Sequence, residues 1–319
     1  MPLPTARLAC LAAVMGVAAG CQAGARGDDA GAVAGSGAGS AATVPAATPS
    51  VASQAVQAPV SRTEPSGPST FVYRGEIEQG GWIRGQAPAG TLRARLGGEA
   101  LALDDDGRFF AAFDRDAGPT AQLAATLRSG ATVETLLQVA PRPWNIERVN
   151  IARRSGGASE EWWARRKPEL DRIAAARSVD ADSRGWAQDF IWPVKGRISG
   201  RFGSQRIYRG EPGSYHSGID IAPGNGVPFV APADGVVTLA TARPFSLEGY
   251  LLIVDHGQGL NSAFLHLSRI AVSEGERVTQ GQLLGNVGAS GRATGPHLHW
   301  SLKWHDARLD PLLFTGPMD

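Results

Sequence analysis

The sequence predicts a mainly β protein: a small antiparallel β-sandwich, a short helical connector and a C-terminal, glycine-rich antiparallel β-sheet domain. Short apolar runs alternate with turn dipeptides through residues 69–144. A charged stretch with helical character follows at 145–190, and β runs return between many glycines at 191–319. A chain of 319 residues has room for two ordinary domains. Its 31 basic and 30 acidic side chains leave a formal charge of +1, so no global field draws nucleic acid or an acidic membrane. The 41 glycines and 21 prolines are unevenly spread, as a linker and turn-rich β structure require. The two cysteines, Cys10 and Cys21, cannot build a disulfide framework or a four-cysteine metal site. All six histidines fall in the last third of the chain: His216, His256, His266, His297, His299 and His305.

The first element, residues 1–21, reads as an export signal. Arg7 and the amino terminus give a positive start, and Leu8 to Gly20 is uncharged and mostly apolar. That run is shorter than the roughly 20 apolar residues a bilayer span needs, so a cleaved signal fits it better. Val17-Ala18-Ala19-Gly20 leading to Cys21 resembles a lipobox, in which the cysteine is lipidated and anchors the protein to a membrane, although Ala18 stands where leucine is usual. An ordinary secretory signal cut near the same place is the alternative. Both imply export to the periplasm or cell envelope. Residues 22–68 are Ala, Gly, Ser, Pro, Val and Thr with little else, the composition of a disordered tether.

In the 69–144 module the strand runs include Phe71-Val72-Tyr73, Trp82-Ile83, Leu92 to Leu96, Leu101 to Leu103 and Phe109 to Phe113. Gly80-Gly81, Gly97-Gly98, Asp106-Gly107 and Ser129-Gly130 supply the turns. Asp104-Asp105-Asp106-Gly107 lacks the alternating ligands and closing glutamate of an EF-hand and reads as an Asp-Gly turn. The module carries no catalytic constellation, and could position the protein on its target or shield its groove. In the connector, Glu160 and Glu161 suit a first helical turn, and Pro168 should end that helix or begin a second over Glu169 to Arg177. Trp162, Trp163 and Trp186 read as packing residues that dock an arm. Beyond Trp192, the spans Val227 to Leu239, Tyr250 to Asp255, Arg277-Val278, Leu283 to Val287 and His297 to Leu302 read as strands.

The histidines carry the chemistry. In His216-Ser217-Gly218-Ile219-Asp220 a fully extended chain would hold His216 and Asp220 about 13 Å apart, at roughly 3.3 Å per residue. Gly218 would let the chain bend and bring them to one ion. In His297-Leu298-His299 both imidazoles point to one face of a strand while Leu298 points to the other. His266 sits among apolar neighbours in Ala263-Phe264-Leu265-His266-Leu267. Two histidines and an aspartate with an open fourth position are the donor set of a catalytic zinc site, and two further imidazoles remain for proton transfer. His256 and His305 read as structural or surface residues, and Arg308 and Asp310 as an exposed pair.

Tyr215-His216-Ser217-Gly218-Ile219-Asp220, Phe264-Leu265-His266-Leu267 and the run from Gly288 to His299 together resemble the lysostaphin-type (LytM-like) zinc metalloendopeptidases, which cut peptides of peptidoglycan. The resemblance covers about residues 192–315 and does not reach 70–190. It implies one zinc per catalytic domain, bound by His216, Asp220 and His299, with His266 and His297 as the catalytic pair. It leaves open which of the two is the general base. Phe264 stands where the family often has tyrosine, and Arg292-Ala293 replaces smaller polar residues, departures that bear on substrate preference. The implied activity is hydrolysis of cross-links or stem peptides in cell-wall remodelling, with peptidoglycan as partner and an envelope protein as regulator. Some relatives have lost zinc ligands and act only as activators of amidases; a non-catalytic or latent envelope regulator is the alternative. A biotinyl- or lipoyl-like carrier shares the turn pattern of Ala231 to Val237 and Gly281 to Gly285, but no lysine stands at the required hairpin tip.

Overall fold

The C-terminal half is organised by one large antiparallel sheet. Its strand order is Arg277–Val278, Gly235–Ala240, Tyr250–Asp255, Leu260–Leu267, Leu298–Trp304, Ile219–Ala222 and Arg197–Gly200, with Ala307–Leu309 also pairing with Leu298–Trp304. The computed structural model describes residues 66–152 and 159–318, so the signal segment, Cys21 and nearly all of the tether lie outside the described residues.

Two-residue periodicity divides this sheet into two faces. Leu252, Val254, Leu260, Phe264, Leu298, Trp300, Leu302 and Trp304 point into the main hydrophobic core. Leu239, Leu251, Ile253 and Ala263 point to the other face, where Phe245, Ala176 and the partly buried Ile173 cover them. The central strands are therefore buried on both sides and read as apolar runs instead of alternating ones. A three-stranded antiparallel sheet, Pro228–Val230, Leu283–Asn286 and Arg269–Ile270, lies beside it. The continuous strand expected over Val227 to Leu239 is interrupted at residues 231–234, between Pro228–Val230 and Gly235–Ala240, and its two pieces serve different sheets.

Upstream, the expected small antiparallel module forms from two sheets. One orders Val72–Glu76, Trp82–Gln86 and Arg108–Ala112; the other orders Glu99–Leu101, Thr91–Leu96, Thr120–Leu127 and Thr132–Gln138. Ile83, Phe109, Leu123 and Leu137, each at most 2% exposed, contribute to the core from both sheets. Gly97, at φ +58°, forms with Gly98 the two-residue turn that joins two of these strands. Asp104 closes its own turn, its Oδ1 accepting from the N–H groups of Asp106 and Arg108. The main hydrophobic core runs without a break from this module into the large sheet. All described residues belong to one compact unit, Arg62–Asp319.

The connector departs from a wholly helical reading. Ile146–Val149 is a strand that pairs parallel to Gln205–Tyr208, which pairs in turn with Glu211–Tyr215. The α-helix is Glu160–Arg177, opened by the Ser159 side chain accepting from the Trp162 N–H, with Glu160 and Glu161 in its first turn. It runs straight through Pro168 instead of ending there. Pro168 and Ala164, whose carbonyl loses its usual donor, are both exposed, so that carbonyl is open to solvent. Trp162, Arg166, Glu169, Ile173 and Ala176 recur every three to four residues and form the face turned to the protein. Trp186 is 4% exposed and packs as expected, whereas Trp163 is 51% exposed and stands edge-on to Trp162 at 4.8 Å. None of the described helices is long and apolar enough to cross a membrane.

His256 is fully buried and structural. Its Nδ1–H donates to the Asp234 carbonyl at 2.7 Å, and its Nε2 accepts from the Ser262 hydroxyl at 2.7 Å. Burial holds its pKa down to about 4. The folded value lies below the unfolded one, so the histidine's contribution is complete above about pH 6.5 and is lost as pH falls towards 4, a change of roughly 3 kcal/mol. Burial pushes the Asp255 carboxyl up to about 6, which acts in the opposite sense over the same range. The expected result is that the stability gap between wild type and His256→Gln, measured by urea unfolding, narrows by about 2–3 kcal/mol between pH 7.5 and pH 4. A gap that does not change with pH would show that His256 is not held neutral.

Candidate metal and catalytic site

The site is a row across the large sheet. The pairing places Leu265 opposite His299, His299 opposite Asp220, and Asp220 opposite Gly200. Because Leu298 and Trp300 enter the main core, His299 must project from the opposite face, as the His-x-His spacing predicts. Gly200 keeps that row open: a Cβ there would stand 2.4 Å from Asp220 Oδ2 and 3.1 Å from His216 Cε1. Gly218 works by close approach, because a Cβ would meet the Trp300 carbonyl at 2.4 Å and His299 Nε2 at 2.8 Å.

His216 reaches the row from the turn after Glu211–Tyr215, fixed by its own N–H to the Ser204 carbonyl and by the Gly203 N–H to its carbonyl. Three donor atoms then converge. His216 Nε2 lies 3.1 Å from Asp220 Oδ1 and 3.1 Å from His299 Nδ1, and His299 Nδ1 lies 2.9 Å from Asp220 Oδ1. The Arg201 carbonyl, 3.1 Å from His216 Nδ1, accepts the hydrogen bond of that N–H and leaves Nε2 with its lone pair. Three electron-pair donors cannot satisfy one another without a shared proton or a cation. Ligands about 2.0–2.1 Å from a tetrahedral zinc stand about 3.3 Å apart, close to these separations. The donors, two imidazole nitrogens and one carboxylate oxygen, fit zinc, and they are the one such cluster of three among the described residues.

The electrostatics follow from the same contacts. Burial opposes the charge on Asp220, but hydrogen bonds and attraction from His216 and His299 outweigh it and hold the carboxyl far below its usual range. Burial also opposes a charge on His216, yet Asp220 raises its pKa overall. His299 is lowered, chiefly by burial.

The second pair of imidazoles stands beside this cluster. His266 and His297 have ring centroids 4.9 Å apart, and His266 lies 6.3 Å from His299. His297 Nε2 is 3.6 Å from Asp220 Oδ1. Each ring donates its Nδ1–H to a backbone carbonyl, His266 to Ser290 at 2.9 Å and His297 to Gly295 at 2.8 Å, which leaves neither Nε2 tied to the backbone. Burial lowers the His266 pKa and keeps the ring neutral near pH 7. His266 adopts φ +63°, a left-handed conformation that costs a non-glycine residue about 1 kcal/mol or more.

The structure places all five expected residues, His216, Asp220, His266, His297 and His299, side by side. His256 lies in the core, and His305 is exposed against Trp304. Arg308 and Asp310 do not pair: Asp310 is buried and binds Arg142 at 2.8 Å, while Arg308 stands over the Tyr215 ring at 5.3 Å. Ser290, which orients His266, carries no signal in the sequence, because it acts through its carbonyl.

A cleft of about 1130 Å³ opens on His216, bounded by Ile151, Tyr208, Tyr215 and Arg292 among others. Among the described residues its one acidic wall residue, Glu147, is neutralised by Arg206 at 2.6 Å, which leaves Arg201 and Arg292 to give the cleft a positive rim.

The model of peptidase family M23 matches residues 214–311. The peptidoglycan DD-endopeptidase ShyA of Vibrio cholerae is 38% identical over 117 residues, covering 35% of this chain and 26% of the relative. The DD-carboxypeptidase/endopeptidase Mpg of Neisseria meningitidis is 36% identical over 125 residues, covering 38% of this chain and 27% of the relative. The match thus spans about a quarter of the length of these curated relatives. A solved structure of an M23 peptidase from Pseudomonas aeruginosa superposes on 75% of this chain and 94% of its own, with a TM-score of 0.56 and 29% identity, a likeness that extends well upstream of residue 214. The strand register, the donor cluster and the family match all fall on the same segment, and residues 214–311 of this chain belong to peptidase family M23.

Proposed function

We propose that the protein is an exported zinc endopeptidase that hydrolyses peptide bonds of bacterial peptidoglycan, in cross-links or stem peptides. The observation that carries this reading is the convergence of His216, Asp220 and His299 beside two oriented imidazoles at a wide cleft. The names of the relatives support the substrate class. His216, Asp220 and His299 would hold zinc, which when bound supplies a Lewis acid for the peptide carbonyl and lowers the pKa of the attacking water towards about 7.

The rest of the chemistry belongs to the chain. Of His266 and His297, one takes the proton of the attacking water on Nε2 and returns it to the leaving amine. The other, when it carries a proton on both nitrogens, donates its Nε2–H to the carbonyl oxygen as negative charge builds there. The backbone carbonyls of Ser290 and Gly295 fix both tautomers, so neither ring must turn during the reaction. The positive rim of Arg201 and Arg292 suits a peptide that carries free carboxylates. In this reading Cys21 tethers the protein to a membrane, and the 22–68 linker gives it reach into the wall. The other reading, a non-catalytic or latent regulator that activates amidases, has no missing ligand in its favour.

The test is digestion of purified, cross-linked peptidoglycan by the protein, with and without a strong chelator, read by mass spectrometry. The expected result is loss of cross-linked dimers and gain of monomers, abolished by chelator and restored by zinc. Unchanged dimers, in a preparation holding one zinc per chain, would overturn the peptidase reading in favour of the regulator.

A further inference from the structure

The helix Glu160–Arg177 lies outside the family segment, yet its inward face touches the catalytic loops through a buried ion pair. The Arg166 guanidinium, 6% exposed, grips Glu248 at both ends: Nη1 to Oε2 and Nη2 to Oε1, each at 2.6 Å. Nη1 also donates to Glu169 at 2.9 Å. Glu169 in turn accepts from the Ser246 N–H at 2.8 Å and the Ser246 hydroxyl at 2.7 Å. The short segment 246–248 is thus clamped by two side chains of one helical turn.

The same segment faces the site on its other side. The Glu248 carbonyl accepts the His266 N–H at 2.8 Å, and the Leu247 carbonyl accepts the Arg292 N–H at 2.9 Å. Gly249 lies so close to Ser290 that a Cβ would stand 2.3 Å from its Oγ, and the Ser290 carbonyl holds His266 Nδ1. His266 therefore keeps its left-handed backbone between two supports, Glu248 and Ser290, that bear on one clamped loop. A strained residue persists only where its surroundings over-determine it.

We propose that Arg166 is a positioning residue for His266: the helical arm, through the Arg166–Glu248 pair, holds the loop that sets the imidazole against the metal cluster. This rests on the reading of His266 as catalytic, and it makes the connector a working part of the active site. The bidentate geometry also explains why arginine stands at this position, since a lysine ammonium cannot span both carboxylate oxygens.

The test compares Arg166→Met, Glu248→Gln, their double variant, Arg166→Lys and the packing control Ile173→Ala. Each is assayed on a soluble cross-linked muropeptide dimer. The expected result for either single variant is a kcat about 10–100-fold lower with KM within about twofold, at one zinc per chain. The double variant should be no worse than the poorer single one, and Arg166→Lys should recover part of the loss. Ile173→Ala should lower the melting temperature with kcat unchanged. Amide hydrogen exchange on the metal-free proteins gives a readout apart from activity: the His266 N–H should exchange faster in Arg166→Met and Glu248→Gln, with Leu252 unaffected. Single variants that keep wild-type kcat and His266 protection would overturn the proposal, as would losses confined to KM or additive losses in the double variant. Should wild type cleave nothing, the peptidase reading fails, and the exchange of the His266 N–H still decides whether Arg166 holds the loop.

Discussion

Alanine at His266 or His297 is expected to leave one zinc per chain and to lower turnover by about 10²–10⁴-fold, whereas alanine at His216, Asp220 or His299 is expected to remove metal and activity together. The separation follows from geometry. The first two rings face the cluster but anchor elsewhere, on the Ser290 and Gly295 carbonyls. The other three supply the atoms that meet at 2.9–3.1 Å. Within the first group, His297→Ala should retain metal less firmly than His266→Ala, because the His297 ring stands beside a metal donor, its Nε2 3.6 Å from Asp220 Oδ1. A lost contact of this outer kind costs about 10–100-fold in affinity, which still leaves a site loaded during purification. Metal analysis of the purified variants, alongside turnover of a soluble cross-linked dimer, checks the partition. Zinc-free His266→Ala would sink it.

The site was legible in the sequence to the extent that it depends on side-chain alternation. His297-Leu298-His299 needs only a strand to put two imidazoles on one face, and the strand is present from Leu298. The supports of the site were not legible, because they act through the backbone or across long separations. Ser290 works by its carbonyl, Gly200 by having no Cβ, and Arg166 meets Glu248 across 82 positions. Local propensity also misled in the connector. Ile146–Val149 becomes a strand because Gln205–Tyr208 offers a free edge, and Pro168 stays helical because its face is exposed to water. The pairing read into Arg308 and Asp310 gave way to Arg142, which reaches Asp310 from the upstream module.

That last contact belongs to a junction whose strength sets the second expectation: the two β modules unfold together, and Phe110→Ala destabilises both by about 3–5 kcal/mol. Phe110, 1% exposed, packs its ring 6.4 Å from Trp82 in its own module and 6.3 and 6.2 Å from Trp304 and Phe314 in the other. Trp82 donates its indole N–H to the Leu313 carbonyl at 2.8 Å, and the Phe110 N–H donates to Gln258 Oε1 at 2.7 Å. Arg84, lying over the Trp82 ring at 4.3 Å, pairs with Asp189 at 2.9 Å. This is the composition of a core and not of a mobile contact between domains, which is more polar. The melting temperature should fall on the order of 10 °C, since each kcal/mol is worth about 2–4 °C in a unit of this size. Amide exchange should report the same loss in Thr120–Leu127 as in Leu260–Leu267, strands on opposite sides of the junction. If the upstream module melts first and leaves Leu260–Leu267 protected, the modules are independent and the junction is a docking contact. If both fall together, the cleft wall, the connector and the donor cluster stand on one cooperative core, and whatever grips the upstream module can reach the candidate site through it.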